Sequence, residues 1–520
     1  MPSPHPDPGA PATPRPSQPQ RRLLLQGSAA LITAPWLLRH ALAVDVPRFS
    51  LGIASGQPHS KGMVLWTRLT GAGLPERVPV QWELARDEGF ADIAARGTEV
   101  AEAEWAHSVH AEPAGLDAGR WYWYRFRALG QQSPAGRTRT APAPDADATL
   151  NFVITSCQRW DVGHYVAWRH VADEALDLIM FLGDYIYEYP SRPGSVRSLE
   201  GGLNVSTLDQ YRARYATHKS DPALQAAHAS APWLLVWDDH EVGNDYANLQ
   251  GQELQPNFAA QRAAAYRAYW EHMPFPKSLR PVGPDMRIVS RLDWGTLARI
   301  HAVDDRQYRD LQVCPKPDRG GSNTVKLKLC PELLDARRSL LGTEQERWLA
   351  DGWDLSRPWN LLAQQTLMAR FSWTDPADGG GTYWTDGWDG YAPARNRLLG
   401  ALAQRQVPGV VVLGGDVHSN YVADLKADFD DAKSPVVASE FCGTSITSLA
   451  LPQSRIDAAR GFNPHVRYAR GNQRGYMRFA LDPQQLQMQV RVVDALDPLS
   501  SVTTAAQFVV EAGRPGAQSV

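Results

Sequence analysis

The chain has 520 residues, of which 43% are apolar and 21% are charged, as in a soluble globular protein with two or three domains. Its net charge of −3 excludes electrostatic attraction as a basis for binding a nucleic-acid backbone or an anionic membrane as principal partner. The 18 tryptophans indicate a well-packed core, and an aromatic-walled substrate cleft is the alternative.

The first 43 residues have the pattern of an export signal. Arg21-Arg22 precede a moderately apolar stretch, which ends in the cleavage-type sequence Ala41-Leu42-Ala43. The paired arginines favour the twin-arginine export machinery as a partner. A membrane anchor is the alternative, but the stretch is too short and too polar to span a bilayer. We expect a periplasmic or secreted protein with no stable transmembrane segment in the mature chain.

Residues 44–145 are predicted to form an all-β domain. Met63–Arg68, Val78–Leu84 and Gly119–Ala128 alternate in side-chain character, as half-buried strands do. About seven such strands in about ninety residues predict a sandwich of the immunoglobulin or fibronectin type.

Residues 146–520 are predicted to form a second, α/β domain, because strands alternate with helical stretches. The first strand, Leu150–Ser156, ends at Cys157, which is either a buried inert thiol or a metal ligand. The predicted helices are Trp168–Ala175, Thr207–Thr217, Phe258–Trp270, Thr343–Leu355 and Ala392–Arg405.

Three apolar runs in this domain end in side chains that bind metals. Asp184 and Tyr187 follow Leu178–Leu182, Asp238-Asp239-His240-Glu241 follows Trp233–Trp237, and Asp416 and His418 follow the run at 410–415. Strand ends of open α/β sheets are where such folds place their sites. We therefore predict one composite metal centre. Three unrelated turns are the alternative, as is a helix N-cap for the Asp238–Glu241 segment.

The donor types indicate which metals would bind and what they would do. Phenolate, thiolate and carboxylate ligands favour Fe³⁺, and oxygen-rich neighbours suit Ca²⁺. Such ions create hydroxide from bound water near neutral pH and screen the charge of a phosphoryl group. The sequence has neither a Gly-x-Ser-x-Gly elbow nor a phosphate-binding Gly-x-x-x-x-Gly-Lys-Ser/Thr loop, which weakens rival hypotheses.

Three further features accompany this centre. Arg306 follows a predicted strand and either grips phosphate oxygens or forms a salt bridge. Cys314 and Cys330 are expected to form a disulfide that closes a short exposed loop, whereas Cys442 is expected to be a core thiol. The Gly-rich aromatic segment at 376–391 is expected to rim the cleft.

With these residues identified, the chain resembles the PhoD-like alkaline phosphatases, a branch of the calcineurin-like metallophosphoesterases. The similarity extends in order from about residue 45 to about residue 510. The matching motifs are Phe152–Gln158, Leu182–Tyr189, Trp237–Asp245, Asp305–Arg309, Gly415–His418 and Glu440–Ser448.

The resemblance implies an N-terminal β-sandwich joined to a catalytic domain of two sheets flanked by helices, with Fe³⁺ and Ca²⁺ as cofactors. Cys157, Asp184 and Tyr187 would hold the iron, with Asp184 bridging to another ion. Asp239, Asp416 and His418 would complete the ligands. His240 and Arg306 would contact the phosphoryl group, and His240 is also a candidate proton donor to the leaving oxygen.

The sequence thus predicts an exported phosphatase that hydrolyses phosphate esters by attack of metal-bound hydroxide and releases inorganic phosphate. The rival enzyme is a phosphodiesterase acting on phospholipids or teichoic-acid-like polymers. A non-catalytic binding module that kept the fold is a third hypothesis, but none of the six candidate ligands is missing.

Overall fold

The computed structural model describes residues 46–520, so the predicted export signal, residues 1–43, lies outside the described residues. The described chain begins with eight β-strands. They are β1 (Ile53–His59), β2 (Gly62–Arg68), β3 (Arg77–Ala85), β4 (Ile93–Glu102), β5 (Ser108–Ala111), β6 (Trp121–Ala128), β7 (Gln131–Gln132) and β8 (Gly136–Arg139).

Strands and helices are mixed in the rest of the chain. The helices are α1 (Val166–Asp173), α2 (Leu208–Lys219), α3 (Pro222–Ser230), α4 (Phe258–His272), α5 (Thr343–Gly352), α6 (Ala392–Arg405) and α7 (Gln453–Arg460). The strands before residue 400 are β9 (Leu150–Thr155), β10 (Leu178–Leu182), β11 (Trp233–Val236), β12 (Ser290–Trp294), β13 (Ala298–Ala302), β14 (Thr324–Lys326), β15 (Trp359–Ala363) and β16 (Thr382–Trp384). Those after it are β17 (Val410–Gly414), β18 (Asn420–Lys426), β19 (Val436–Cys442), β20 (Val466–Arg470), β21 (Arg474–Leu481), β22 (Gln485–Val493), β23 (Thr503–Glu511) and β24 (Arg514–Ser519).

All five predicted helices are confirmed, with ends that differ by up to three residues. Thr207 begins α2 through a reciprocal capping box with Gln210, which fixes that end of the helix. The helices α3 and α7 were not predicted from the sequence.

Two large sheets organise the protein. One has ten strands in the order β24-β23-β22-β21-β9-β10-β11-β1-β2-β5, and the other has seven in the order β12-β13-β15-β17-β19-β18-β20. The strands β9, β10 and β11 run parallel at the centre of the first sheet. In the second sheet, β13, β15, β17 and β19 are parallel. Parallel neighbours bring their carboxyl ends to one edge, where their loops meet.

The two sheets pack face to face around one apolar core. Phe441 of β19 contacts Phe479 of β21, with ring centroids 5.4 Å apart. Alternate side chains of β17 divide between two clusters, because successive residues of a strand point to opposite faces. Val411 and Leu413 belong to the core between the sheets, whereas Val412 packs with the cluster that includes α5 and α6. The protein is therefore a mixed α/β structure with helices flanking paired sheets.

The N-terminal strands pack in two layers but do not form a closed unit. The strands β3, β4, β6, β7 and β8 make a five-stranded antiparallel sheet, and β1, β2 and β5 join the ten-stranded sheet. Tyr122, Tyr124 and Phe126 are fully buried between these layers, as their shared face predicts. The link to the larger sheet is the parallel pairing of Gly56 with Trp233.

Within residues 46–520, no helix combines the length and the apolar character that crossing a membrane requires. The predicted disulfide between Cys314 and Cys330 is confirmed, and Cys157 and Cys442 are free and buried.

Candidate metal centre

The candidate ligands lie where the carboxyl ends of the parallel strands in the two sheets face each other. Cys157 follows β9, Asp184 follows β10, Asp239 follows β11 and Asp416 follows β17. These strands are buried along their whole length or nearly so, and the polar side chains that follow them within one to three residues lie at the sheet edge. The predicted convergence of three distant segments is confirmed.

The backbone of these loops takes an uncommon conformation. Cys157, Asp184, Asp416 and His418 have φ angles of 58°, 61°, 62° and 53°, in the left-handed region that side chains rarely adopt. Each non-glycine residue held in this conformation destabilises the folded state by on the order of 1–3 kcal/mol, and such residues cluster at functional sites. Gly183 permits the tight approach of two loops, because a Cβ atom there would lie 2.3 Å from Asp238 Cβ.

One group of donors surrounds Tyr187. Its hydroxyl donates to Asp184 Oδ2 at 2.7 Å and lies 3.0 Å from His418 Nε2. Ligand atoms of Cys157, Asp184 and His418 lie within 4.8 Å of one another. The Ser448 hydroxyl donates to the Tyr187 oxygen at 2.7 Å, which orients the phenol. A thiol, a phenol, an imidazole and a carboxylate thus converge on one point.

A second group consists of carboxylates. Oxygens of Asp238, Asp239 and Asp416 lie within 4.8 Å of one another, and Asp239 also forms such a group with Asp184 and His240. Thr366 Oγ1 donates to Asp416 Oδ2 at 2.7 Å and fixes that side chain. Asp184 and Asp239 therefore connect the two groups.

Glu241 ties together the loops that carry these ligands. Its carboxylate accepts backbone N–H groups of Asp184 at 3.1 Å, Tyr185 at 2.5 Å and Asp238 at 2.8 Å. The chain from residue 237 to residue 257 forms turns, and α4 begins only at Phe258. The helix N-cap interpretation of the Asp238–Glu241 segment is therefore wrong, because its acids bind neighbouring loops instead of capping a helix.

His240 is held by a carboxylate that the sequence analysis did not single out. Its Nδ1 donates to Glu188 Oε2 at 2.7 Å, and its ring lies 4.1 Å from the Tyr187 ring between centroids. Burial lowers the pKa of His240, but the Asp239 and Glu188 carboxylates outweigh it and raise that pKa well above its ordinary value. The imidazole therefore favours its protonated form.

Arg306 is buried and engaged in ion pairs. Its Nε donates to Asp238 Oδ1 at 2.5 Å and its Nη1 to Asp386 Oδ2 at 2.6 Å. Its Nη2 lies 3.7 Å from Asp239 Oδ1 and 3.9 Å from Asp416 Oδ2. The salt-bridge interpretation of Arg306 is confirmed, and its contact with a phosphoryl group stays a prediction. Asp386 was missed because it follows no apolar strand.

Three properties of the cluster fit a bound cation. Its donor set of sulfur, phenol, imidazole and carboxylates matches transition-metal and calcium chemistry. Asp238 Oδ2 and Asp239 Oδ1 are buried and have no hydrogen-bond partner within the described chain. Burial, together with the Asp184 carboxylate, raises the pKa values of the Cys157 thiol and the Tyr187 phenol well above their ordinary range. A cation would compensate this concentration of acidic groups.

The cluster opens into a pocket of about 450 Å³. Asp239, His240, Asp416 and His418 form its polar end. Trp384 and Trp388 lie on its wall, so the prediction that the 376–391 segment rims the cleft is confirmed. Eight of the 18 tryptophans are buried with at most 1% of their surface exposed, as expected for a well-packed core, and others line this pocket.

The paired sheets and the donor cluster at their strand ends define an α/β protein with a site built for metal-assisted chemistry. Comparison with a purple acid phosphatase from yellow lupin seeds (Lupinus luteus) supports this fold, with a TM-score of 0.54 over 88% of this chain and 74% of that one, at 10% sequence identity.

Sequence comparison then gives the family. The PhoD-like phosphatase model matches residues 152–490, and the model of the PhoD-like phosphatase N-terminal domain matches residues 37–142. Alkaline phosphatase D of Bacillus subtilis (strain 168) is 41% identical over 492 residues, which are 91% of this chain and 82% of that protein. A solved structure of PhoD matches with a TM-score of 0.85 and 40% identity, covering 91% of this chain and 92% of that one. The chain belongs to the PhoD-like phosphatase family, whose members are hydrolases of phosphoric esters.

Proposed function

We propose that this protein is an exported, metal-dependent phosphatase that hydrolyses phosphate esters and releases inorganic phosphate. Family membership supports phosphoric-ester hydrolysis. The observation that carries the proposal is the convergence of six donor side chains and His240 in one cluster, part of which lines a single pocket. The six donors are Cys157, Asp184, Tyr187, Asp239, Asp416 and His418.

Two kinds of ion fit the two donor groups. Fe³⁺ suits the group around Tyr187, because sulfur, phenolate and imidazole ligands favour a strongly Lewis-acidic transition metal. Cys157, Asp184, Tyr187 and His418 would hold it. Ca²⁺ suits the oxygens of Asp239 and Asp416, with Asp184 shared. When bound, such ions lower the pKa of a water molecule and screen the charge of a phosphoryl group.

The protein's own residues would position the ester and supply a proton. Because Glu188 occupies Nδ1 of His240, Nε2 is the nitrogen left to face a substrate. We assign His240 the role of donating a proton to the leaving oxygen. Arg306 is 1% exposed and held by Asp238 and Asp386, so it would contribute a fixed positive charge beside the phosphoryl group.

The second candidate function is a phosphodiesterase acting on phospholipids or teichoic-acid-like polymers. One observation favours it over a strict monoesterase. The pocket that the ligand cluster lines also has Trp373 and Trp384 on its wall, and its volume of about 450 Å³ leaves room for a second organic group on the phosphate.

Export and domain organisation complete the proposal. The Cys314–Cys330 disulfide supports passage to an oxidising compartment, periplasmic or external, through the twin-arginine machinery. Residues 44–145 are proposed as a sandwich domain of immunoglobulin or fibronectin type, supported by the two-layer packing of their strands. Residues 146–520 would form the catalytic domain.

Metal analysis of the purified protein tests the proposed centre. We expect iron and calcium in the active protein and a visible charge-transfer band from phenolate bound to Fe³⁺. Tyr187→Phe should abolish the band, whereas Tyr308→Phe, a control at a partly exposed ring outside the cluster, should retain it. Active protein that contains no metal would refute the proposal.

Activity assays separate the three functional hypotheses. We expect p-nitrophenyl phosphate to be hydrolysed faster than bis-p-nitrophenyl phosphate if the protein is a monoesterase. The reverse order would favour the phosphodiesterase. Turnover of neither, with iron and calcium supplied, would leave the non-catalytic binding module.

A further inference from the structure

The part of the pocket beyond the ligand cluster is apolar and aromatic. Trp373 and Trp384 are half-buried on its wall, and Phe371 lies behind them. The Phe371 ring meets Trp373 at 4.9 Å and Tyr421 at 5.3 Å between centroids, in both cases edge to face. These contacts fix the aromatic wall before any ligand arrives.

The rim of the same pocket exposes large aliphatic side chains. Leu449 is 63% exposed and Leu451 is 42% exposed, although both lie beside a polar cluster. The rim is linked to the site, because the Leu449 carbonyl oxygen accepts a hydrogen bond from His418 Nδ1 at 2.8 Å. Apolar side chains kept in water next to a catalytic centre indicate a surface that binds a ligand.

Trp373, Trp384, Leu449 and Leu451 line the part of the pocket that we call the groove, and neighbouring residues also hold its two tryptophans in place. Trp384 ends β16, which pairs with β14 through Thr324. The strand β14 lies inside the loop that the Cys314–Cys330 disulfide closes. The guanidinium of Arg455 lies 5.0 Å from the centre of the Trp373 ring. A wall fixed in this way offers a preformed surface, which lowers the entropic cost of binding.

We propose that this groove binds the apolar organic group of the phosphate ester while the phosphoryl group lies at the ligand cluster. The inference rests on the proposed function and specifies its substrate class as esters of apolar alcohols or phenols. In hydrolysis, water oxygen bonds to phosphorus, the phosphorus–oxygen bond to the organic group breaks, and the departing oxygen takes a proton. The apolar group in the groove would be either an aryl ring or an alkyl chain.

Inhibition by phosphonates tests this, because their carbon–phosphorus bond is not hydrolysed and the inhibitor stays intact. Methylphosphonate, phenylphosphonate and hexylphosphonate share the same anionic head and differ only in the organic group. We expect phenyl- or hexylphosphonate to inhibit at least tenfold more strongly than methylphosphonate. Stronger inhibition by the phenyl compound would identify the aryl class, and stronger inhibition by the hexyl compound would identify the alkyl class. Equal inhibition by all three would overturn the inference.

Variants locate the effect in the groove. Trp373→Ala and Trp384→Ala should each reduce the preference for the apolar phosphonate by about tenfold, with metal content retained. Leu449→Ser, at an exposed position that folding tolerates, should reduce it about threefold. Leu499→Ala, a control at a 79% exposed leucine away from the pocket, should leave it unchanged.

Different results would refute the proposed function and the assignment of the groove. If the metal-loaded protein hydrolyses no phosphate ester, the proposed function is wrong. If it hydrolyses esters but shows the same phosphonate preference in the wild type and both tryptophan variants, only the groove assignment is wrong.

Discussion

Lys219 carries a buried amine whose replacement should stabilise the protein. It is 1% exposed at the end of α2, and its Nζ lies 3.4 Å from His228 Nε2 and 4.2 Å from the Trp66 ring centre. No carboxylate of the described chain raises its pKa, which burial alone shifts. Burial lowers its pKa well below the ordinary 10.5. We expect Lys219→Met to unfold at higher urea concentration than the native chain at pH 8.

The size of the change in unfolding free energy follows from the difference in proton binding between the folded and unfolded chains. Between the lowered folded-state pKa and about 10.5, the unfolded chain holds a proton on Lys219 that the folded chain has released. Its contribution therefore makes stability rise with pH, by about 1.4 kcal/mol per pH unit. The methionine variant lacks this contribution. Its advantage should therefore shrink as the pH rises toward 10.5, by at most about 1.4 kcal/mol for each pH unit.

Urea unfolding followed by tryptophan fluorescence at both pH values measures this difference. Lys61→Met serves as the control, because Lys61 is exposed, and its difference from the native chain should not change with pH. An advantage of Lys219→Met that stays constant from pH 8 to pH 10 would show that Lys219 keeps its proton when folded, and the reasoning would be wrong.

Three further predictions concern the site. Glu241→Gln removes an acceptor shared by two ligand-bearing loops, so metal affinity should fall about 10- to 100-fold in a competition titration; unchanged affinity would contradict this. Glu188→Gln loosens His240, and kcat should fall about 10- to 100-fold with metal content retained, whereas loss of metal would indicate a structural role. Replacing Cys314 and Cys330 by serine should cost about 3 kcal/mol in urea unfolding. It should also raise KM, and a native KM would refute the link between this loop and the pocket.

The strands that deliver the ligands were predictable because they are buried along their length. An apolar run such as Leu178–Leu182, followed directly by Gly183 and an acid, is typical of a buried strand that ends in a turn. The α3 helix was missed although its signal was present, since Asp221 caps its N-terminus and Pro222 occupies its first turn. The α7 helix begins after Pro452 without a side-chain cap and has no comparable signal.

The supporting residues of the site were not predictable, because their positions depend on tertiary pairing. Asp386 reaches Arg306 from a Gly-rich segment that follows β16. Thr366 reaches Asp416 from the end of β15, one strand away in the seven-stranded sheet. Nothing local in either sequence marks these contacts, whereas the ligands themselves stand directly after apolar runs.

The two free cysteines show how position decides the role of one residue type. Both are buried near Asp416, but Cys442 is the last residue of β19, whereas Cys157 lies two residues beyond the end of β9. Cys442 lies within β19, packs in the apolar cluster beneath α6, and its thiol donates to the Gly415 carbonyl at 3.1 Å. Cys157 lies one step past Ser156 in the left-handed region, and its ligand atom lies with those of Asp184 and His418. We expect Cys157→Ser to lose the charge-transfer band or shift it, and Cys442→Ser to keep it.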